Sequence, residues 1–121
     1  MSKVLVVDDE PGIRQFVTSA LEEEGFEVTS AANGQLAVDA AAEKRPDLVV
    51  LDMMLPRLDG QQVAEQIRRL HGDVPFLLIT ADARPREKAE RVGAFAFLSK
   101  PFDIDDLLTV IRNRLLPTGV G

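Results

Sequence analysis

The chain has 121 residues, 45% of them hydrophobic, with 14 basic against 20 acidic side chains and a formal net charge of −6. These proportions belong to one ordinary globular domain with a single core, and the acidic balance argues against direct nucleic-acid binding as its main role. No cysteine is present, which excludes disulfides, thiolate metal sites and cysteine nucleophiles.

In chain order, Lys3–Val7 is a β-rich apolar run cut short by Asp8-Asp9-Glu10. It is too short for a signal segment or a membrane span, so the expected location is cytoplasmic, away from membranes. Pro11 opens a helix whose apolar positions Ile13, Phe16, Val17, Ala20 and Leu21 keep the spacing of one buried stripe. Gly25 ends it as a C-cap glycine would. Phe26–Ala31 reads as a second strand, and Asn33-Gly34 turns into a helix over Gln35–Glu43 that Pro46 terminates. Leu48–Leu51 is apolar on both alternating faces, as a strand covered by helices on both sides must be.

After a loop to Gly60 comes a third helix carrying Val63, Ala64, Ile67 and Leu70, with His71 in the loop beyond it. Phe76–Ile79 is the fourth apolar run, followed by a weakly apolar helix over about 84–92. Ala94–Leu98 is a fifth strand, and Asp103 is the expected N-cap of a last helix with Ile104, Leu107, Leu108 and Ile111 inward. Five alternations of strand and helix with short connections predict right-handed βαβ units and an α/β domain with a parallel sheet. The domain is expected to span residues 1–116, leaving 117–121 as a short flexible tail.

Ligands of an open parallel sheet bind beyond the carboxyl ends of the strands. The first run ends in Asp8-Asp9, the third in Asp52, the fourth in Thr80, and the fifth runs into Ser99-Lys100-Pro101. The acidic excess lies in the same half: residues 1–60 hold 12 acids and 5 bases, against 8 and 9 in residues 61–121. Taken singly, Asp9 reads equally as a helix cap, Lys100 as a surface lysine and Thr80 as a strand residue. Together they form a constellation, because each directly follows a strongly apolar run. Gathered carboxylates repel unless a proton or a cation intervenes. A hard divalent ion such as magnesium resolves that repulsion, Lys100 adds a charge suited to phosphate, and one carboxylate can then act as a nucleophile toward phosphorus.

Val7-Asp8-Asp9-Glu10, Leu51-Asp52-Met53-Met54-Leu55-Pro56 with Asp59-Gly60, Thr80-Ala81 and Lys100-Pro101-Phe102 resemble the receiver domains of two-component response regulators along essentially the whole chain. The resemblance implies a three-layer (βα)5 flavodoxin-like fold with strand order 2-1-3-4-5. It also implies that Asp52 is the phosphoacceptor, with magnesium or manganese held by Asp9, Asp52 and the backbone carbonyl of Met54, and by Asp8 through water. Thr80 and Lys100 match the groups that engage the phosphoryl oxygens, and Phe97 the switch aromatic. The Lys100-Pro101 peptide is expected to be cis. Met54 and Asp82 occupy the positions that tune hydrolysis, with a phosphoryl lifetime longer than minutes expected here. Implied partners are a histidine kinase or histidine phosphotransfer protein, and a downstream effector protein or fused output domain.

Several readings stay open beside this one. A small phosphatase or phosphotransferase with a nucleophilic aspartate is one, although Met54 stands where such enzymes carry a second acid. A silent interaction domain is another, against which the full polar set argues. A nucleotide-binding enzyme fits least, because no glycine-rich turn follows the first strand. The basic residues Arg84, Arg86, Lys88 and Arg91 form either a solvated face ion-paired to Glu87 and Glu90 or a dock for an acidic partner. Phe95 is either a core residue or an exposed contact, and alternation places it on the side of Phe97.

Overall fold

The computed structural model describes residues 1–55 and 58–116. Five strands and five helices alternate strictly: β1 (Lys3–Val7), α1 (Pro11–Glu23), β2 (Glu27–Ala31), α2 (Gly34–Glu43), β3 (Leu48–Asp52), α3 (Gly60–His71), β4 (Phe76–Thr80), α4 (Pro85–Val92), β5 (Ala96–Ser99) and α5 (Ile104–Leu115). All pairings are parallel, in the order β2-β1-β3-β4-β5. The expected flavodoxin-like fold is therefore present. Pro56 of the third-strand motif and the expected tail 117–121 lie outside the described residues.

The period of the strands sorts the core into two layers. Leu5, Val7, Val49, Leu51 and Phe76 face one side, where α2 and α3 supply Ala37, Ala41, Val63, Ala64 and Ile67. Val4, Val6, Leu48, Val50, Leu77 and Ile79 face the other, against Val17 and Leu21 of α1 and Leu107 and Ile111 of α5. β3 and β4 are buried at every position, which explains why their sequences carry no polar alternation.

Helix ends follow from local chemistry. Asn33 accepts a bond from the Leu36 N–H at 2.9 Å. Asp59 and Gln62 close a reciprocal capping box at the start of α3, and Asp103 caps α5 as expected. Gly25, at φ +92°, takes the left-handed conformation that lets the chain leave α1 for β2.

Two apolar residues assigned to buried stripes are exposed, Phe16 at 55% and Leu70 at 47%. Residues advance about 100° around a helix, so Phe16 stands a full step from Val17, at the rim of a stripe centred on Val17 and Leu21. Other elements differ by a residue or two. Phe26 precedes β2 and is buried, β5 starts at Ala96, and His71 is the last residue of α3 rather than a loop residue. Its Nε2 lies 2.6 Å from the Ala41 carbonyl, tying α3 to α2.

Candidate functional site

Among the described residues the buried polar side chains are Asp8, Asp52 and Thr80. These end or follow β1, β3 and β4, neighbours at the centre of the sheet. Burial of polar groups on a fold this small costs several kcal/mol unless they are partnered. Their gathering at one edge therefore marks a site.

Lys100 follows β5 through a bond from its N–H to the Thr80 carbonyl, and its peptide to Pro101 is cis. Its Nζ stands 3.0 Å from Asp52 Oδ2, 3.1 Å from Asp8 Oδ2 and 3.2 Å from Glu10 Oε1. The Asp52 and Glu10 contacts are hydrogen bonds. Asp52 Oδ1 accepts from the Met54 N–H at 3.0 Å, and Asp8 Oδ1 accepts from the Glu10 N–H at 2.9 Å. Asp8 Oδ2 is fully buried and no donor reaches it in hydrogen-bonding geometry, although it feels the Lys100 charge.

Electrostatics follow from this crowding. Burial pushes the Asp52 carboxyl above its ordinary range, with the Asp8 charge adding to the effect, while the Met54 N–H and Lys100 act against it. Burial would lower the Lys100 ammonium, but its hydrogen bond to Asp52, the nearby Asp8 carboxylate and its bond to Glu10 hold it well above the usual lysine range. One cation thus faces three carboxylates, and the site keeps an uncompensated negative charge.

Oxygens of Asp8, Asp9, Glu10 and Asp52 lie within 4.8 Å of one another. Hard oxygen donors in this number, with the orphaned Asp8 oxygen among them, fit a divalent cation such as magnesium. Asp9 and Glu10 are exposed and open onto a cleft also lined by Asp52, Met54, Ala81 and Lys100. The Met54 side chain is 65% exposed at its mouth.

Thr80 is fully buried, and its Oγ1 accepts from the Asp82 N–H at 3.0 Å. Its hydroxyl hydrogen is left to donate. Asp82 Oδ1 accepts from the Arg84 N–H at 2.8 Å at the entry to α4, and Asp82 does not line the cleft. Phe97 is half-buried on β5, away from the carboxylates, where Arg86 lies 5.6 Å from its ring centre. The fold brings Asp8, Asp9, Asp52 and Lys100 together as expected. His71 stands apart from the acidic cluster.

Three contributors were not foreseen. Glu10 pairs with Lys100; its place in the acidic run was the available signal. Arg14 donates to the Asp8 carbonyl at 2.8 Å, fixing the turn that presents the acids. Arg68 bonds the carbonyls of Val92 and Gly93 at the end of α4. No local pattern announces either arginine.

A doubly wound parallel sheet with an acid-lined, lysine-bearing carboxyl edge places the chain in the flavodoxin-like α/β class. Residues 4–112 match the response regulator receiver domain model, and the chain belongs to that family of two-component systems. It is 40% identical over 119 residues to the probable transcriptional regulatory protein TcrX of Mycobacterium tuberculosis, covering 97% of this chain and 51% of that protein. It is 33% identical to sporulation initiation phosphotransferase F of Bacillus subtilis, covering 93% of each. Among solved structures it resembles the response regulator TrrA of Thermotoga maritima in complex with Mg(2+)-BeF, with TM-score 0.84 and 36% identity over 95% of this chain and 100% of the other. The chain thus spans about half the length of TcrX and of several other curated relatives it matches. The acidic pocket is compatible with magnesium binding and aspartate phosphorylation. No helix of the described residues is long and apolar enough to cross a membrane.

Proposed function

We propose that residues 1–116 form a phosphorylation switch in which Asp52 accepts a phosphoryl group from a phosphohistidine on a histidine kinase or histidine phosphotransfer protein. The observation that carries this is Asp52 itself: a buried strand-end carboxylate that faces the cleft and lies 3.0 Å from a lysine ammonium. An Asp52 oxygen forms the new P–O bond as the P–N bond breaks, and the electron pair returns to the imidazole nitrogen. Lys100 balances charge on the phosphoryl oxygens, and the free hydroxyl hydrogen of Thr80 is available to one of them. Asp8, Asp9, Asp52 and the Met54 carbonyl would hold magnesium or manganese. When bound, the ion supplies the positive charge that lets phosphate sit among acids.

Thr80 moving toward the new group leaves space that Phe97 enters, changing the α4–β5–α5 surface read by an effector protein or output domain. Hydrolysis of the acyl phosphate resets the switch. Met54 at the cleft mouth offers an attacking water no good hydrogen bond, in keeping with a lifetime longer than minutes. The chain promotes only its own phosphorylation and dephosphorylation, and acts in the cytoplasm.

The test is intact mass after incubation with acetyl phosphate, with and without magnesium, for the parent and Asp52→Ala. A gain of about 80 Da, one phosphoryl group on an acidic nucleophile, is expected in the parent only and only with the metal. Gain in both proteins identifies a different nucleophile, and gain in neither, with the fold intact, makes the domain a silent interaction module.

A further inference from the structure

Glu10 is the N-cap residue of α1, yet its side chain makes no capping bond there. It crosses instead to the Lys100 ammonium, 90 residues further along the chain, at 3.2 Å. Aspartate, not glutamate, is the acid that caps helices well. The residue at this turn is thus suited to reach across the site and not to start the helix.

An ammonium has three N–H groups, and three carboxylates surround this one. Asp8 and Asp52 are buried, and their other oxygens are fixed by the N–H groups of Glu10 and Met54. The Glu10 side chain is 57% exposed, and among the described residues no other hydrogen bond or ion pair holds it. It borders open space on both sides, the acidic cleft and an apolar pocket lined by Ile13, Phe16 and Phe102. Glu10 is therefore the one carboxylate of the three that can leave Lys100 without disturbing the sheet edge. A phosphoryl group on Asp52 needs an N–H of that lysine for its oxygens, and Glu10 holds the one most easily released.

We infer that Glu10 is a displaceable partner of Lys100, a positioning residue that holds the ammonium in the resting site and is driven off it by the incoming phosphoryl group. Glu10 thus opposes phosphorylation and sets how readily the site takes the group. The inference rests on the switch reading and deepens it. General repulsion between the Glu10 charge and phosphate is the competing account, and side-chain length separates the two. Glu10→Gln removes the charge, whereas Glu10→Asp keeps it, falls short of Lys100 and can turn back to cap α1. Displacement makes both variants take the phosphoryl group more readily; repulsion alone favours only Glu10→Gln.

The probe is beryllium fluoride, the group that the TrrA structure holds with magnesium. It is titrated into the full chain and followed by amide NMR shifts, with magnesium saturating for each protein. The dissociation constant is expected to fall about three- to fivefold in both Glu10→Gln and Glu10→Asp, the worth of one half-exposed ion pair. Phosphorylation by acetyl phosphate, read by intact mass, should speed up by a similar factor. Both variants should keep the parent far-UV CD spectrum. Glu23→Gln, at the other end of α1, removes an exposed acid away from the site and should keep the parent affinity. A gain in Glu10→Gln alone replaces displacement with plain repulsion and overturns the inference. A parent that binds the probe no more weakly than either Glu10 variant also overturns it and leaves the switch standing. A folded parent that neither binds the probe nor gains phosphate takes down the switch reading, and this inference with it.

Discussion

Asp52→Asn is expected to stabilise the fold in chelator at pH 7, although it removes a charge paired with a lysine. Asp52 and Asp8 oxygens lie within 4.8 Å, and Lys100 lies 3.0 Å from Asp52. At an effective dielectric constant of about 20, like charges at that separation repel by about 3–4 kcal/mol, and the lysine contact attracts by about 5–6 kcal/mol. Desolvating a carboxylate costs several kcal/mol, and burial is the largest influence on Asp52. Together these leave about 1 kcal/mol in favour of the neutral amide, which can still accept the Met54 N–H. The pH dependence follows. A raised folded-state pKa means that the native state binds the Asp52 proton more tightly than the unfolded chain does. That stabilisation is complete below the unfolded pKa of about 3.9 and is lost as pH rises through the raised folded value. The advantage of Asn should therefore shrink as pH falls from 7 into the carboxylate range. Magnesium should reverse the order, since a cation at ten times its dissociation constant adds about 1.4 kcal/mol to a protein that binds it only when folded. Urea unfolding followed by far-UV CD is the assay, because the chain has neither tryptophan nor tyrosine. A less stable Asp52→Asn in chelator at neutral pH, or equal magnesium stabilisation of both proteins, would refute the electrostatic account.

Two further substitutions test the packing that supports the site. A Cβ at Gly34 would fall 2.6 Å from Leu58 Cβ and 2.8 Å from Val63 Cγ2. Gly34→Ala should therefore cost about 1–3 kcal/mol by overpacking, outweighing the better helix propensity of alanine; a higher urea midpoint would contradict it. Arg68 holds the Val92 and Gly93 carbonyls at 2.5 and 2.9 Å and lies 4.8 Å from the Phe76 ring centre. Arg68→Met should lose about 2 kcal/mol and speed amide exchange in α4, and unchanged exchange there would mean the clamp does not hold that helix.

The five-fold alternation, the two-sided burial of β3 and the helix ends at Gly25 and Asp103 were legible in the sequence, because local periodicity and backbone chemistry set them. The strand-end residues Asp8, Asp52 and Thr80 were legible for the same reason, each being a polar residue at the end of an apolar run. What the run of residues could not say is how far a helical stripe extends over its sheet. Phe16 and Leu70 have the right spacing yet face solvent, since burial depends on the neighbour and not on the period. Lys100 could be named from its motif, but its three carboxylate partners, including Glu10, depend on β1, β3 and β5 coming together at one edge. The same holds for Arg68 and Arg114. Their partners lie 24 or 25 residues away for Arg68 and at Phe95, just before β5, for Arg114, and a long flexible side chain leaves no periodic trace of where its charge ends up. Chain-local patterns determined the elements and the polar strand ends; only tertiary packing decided which charges meet and which are left unpaired.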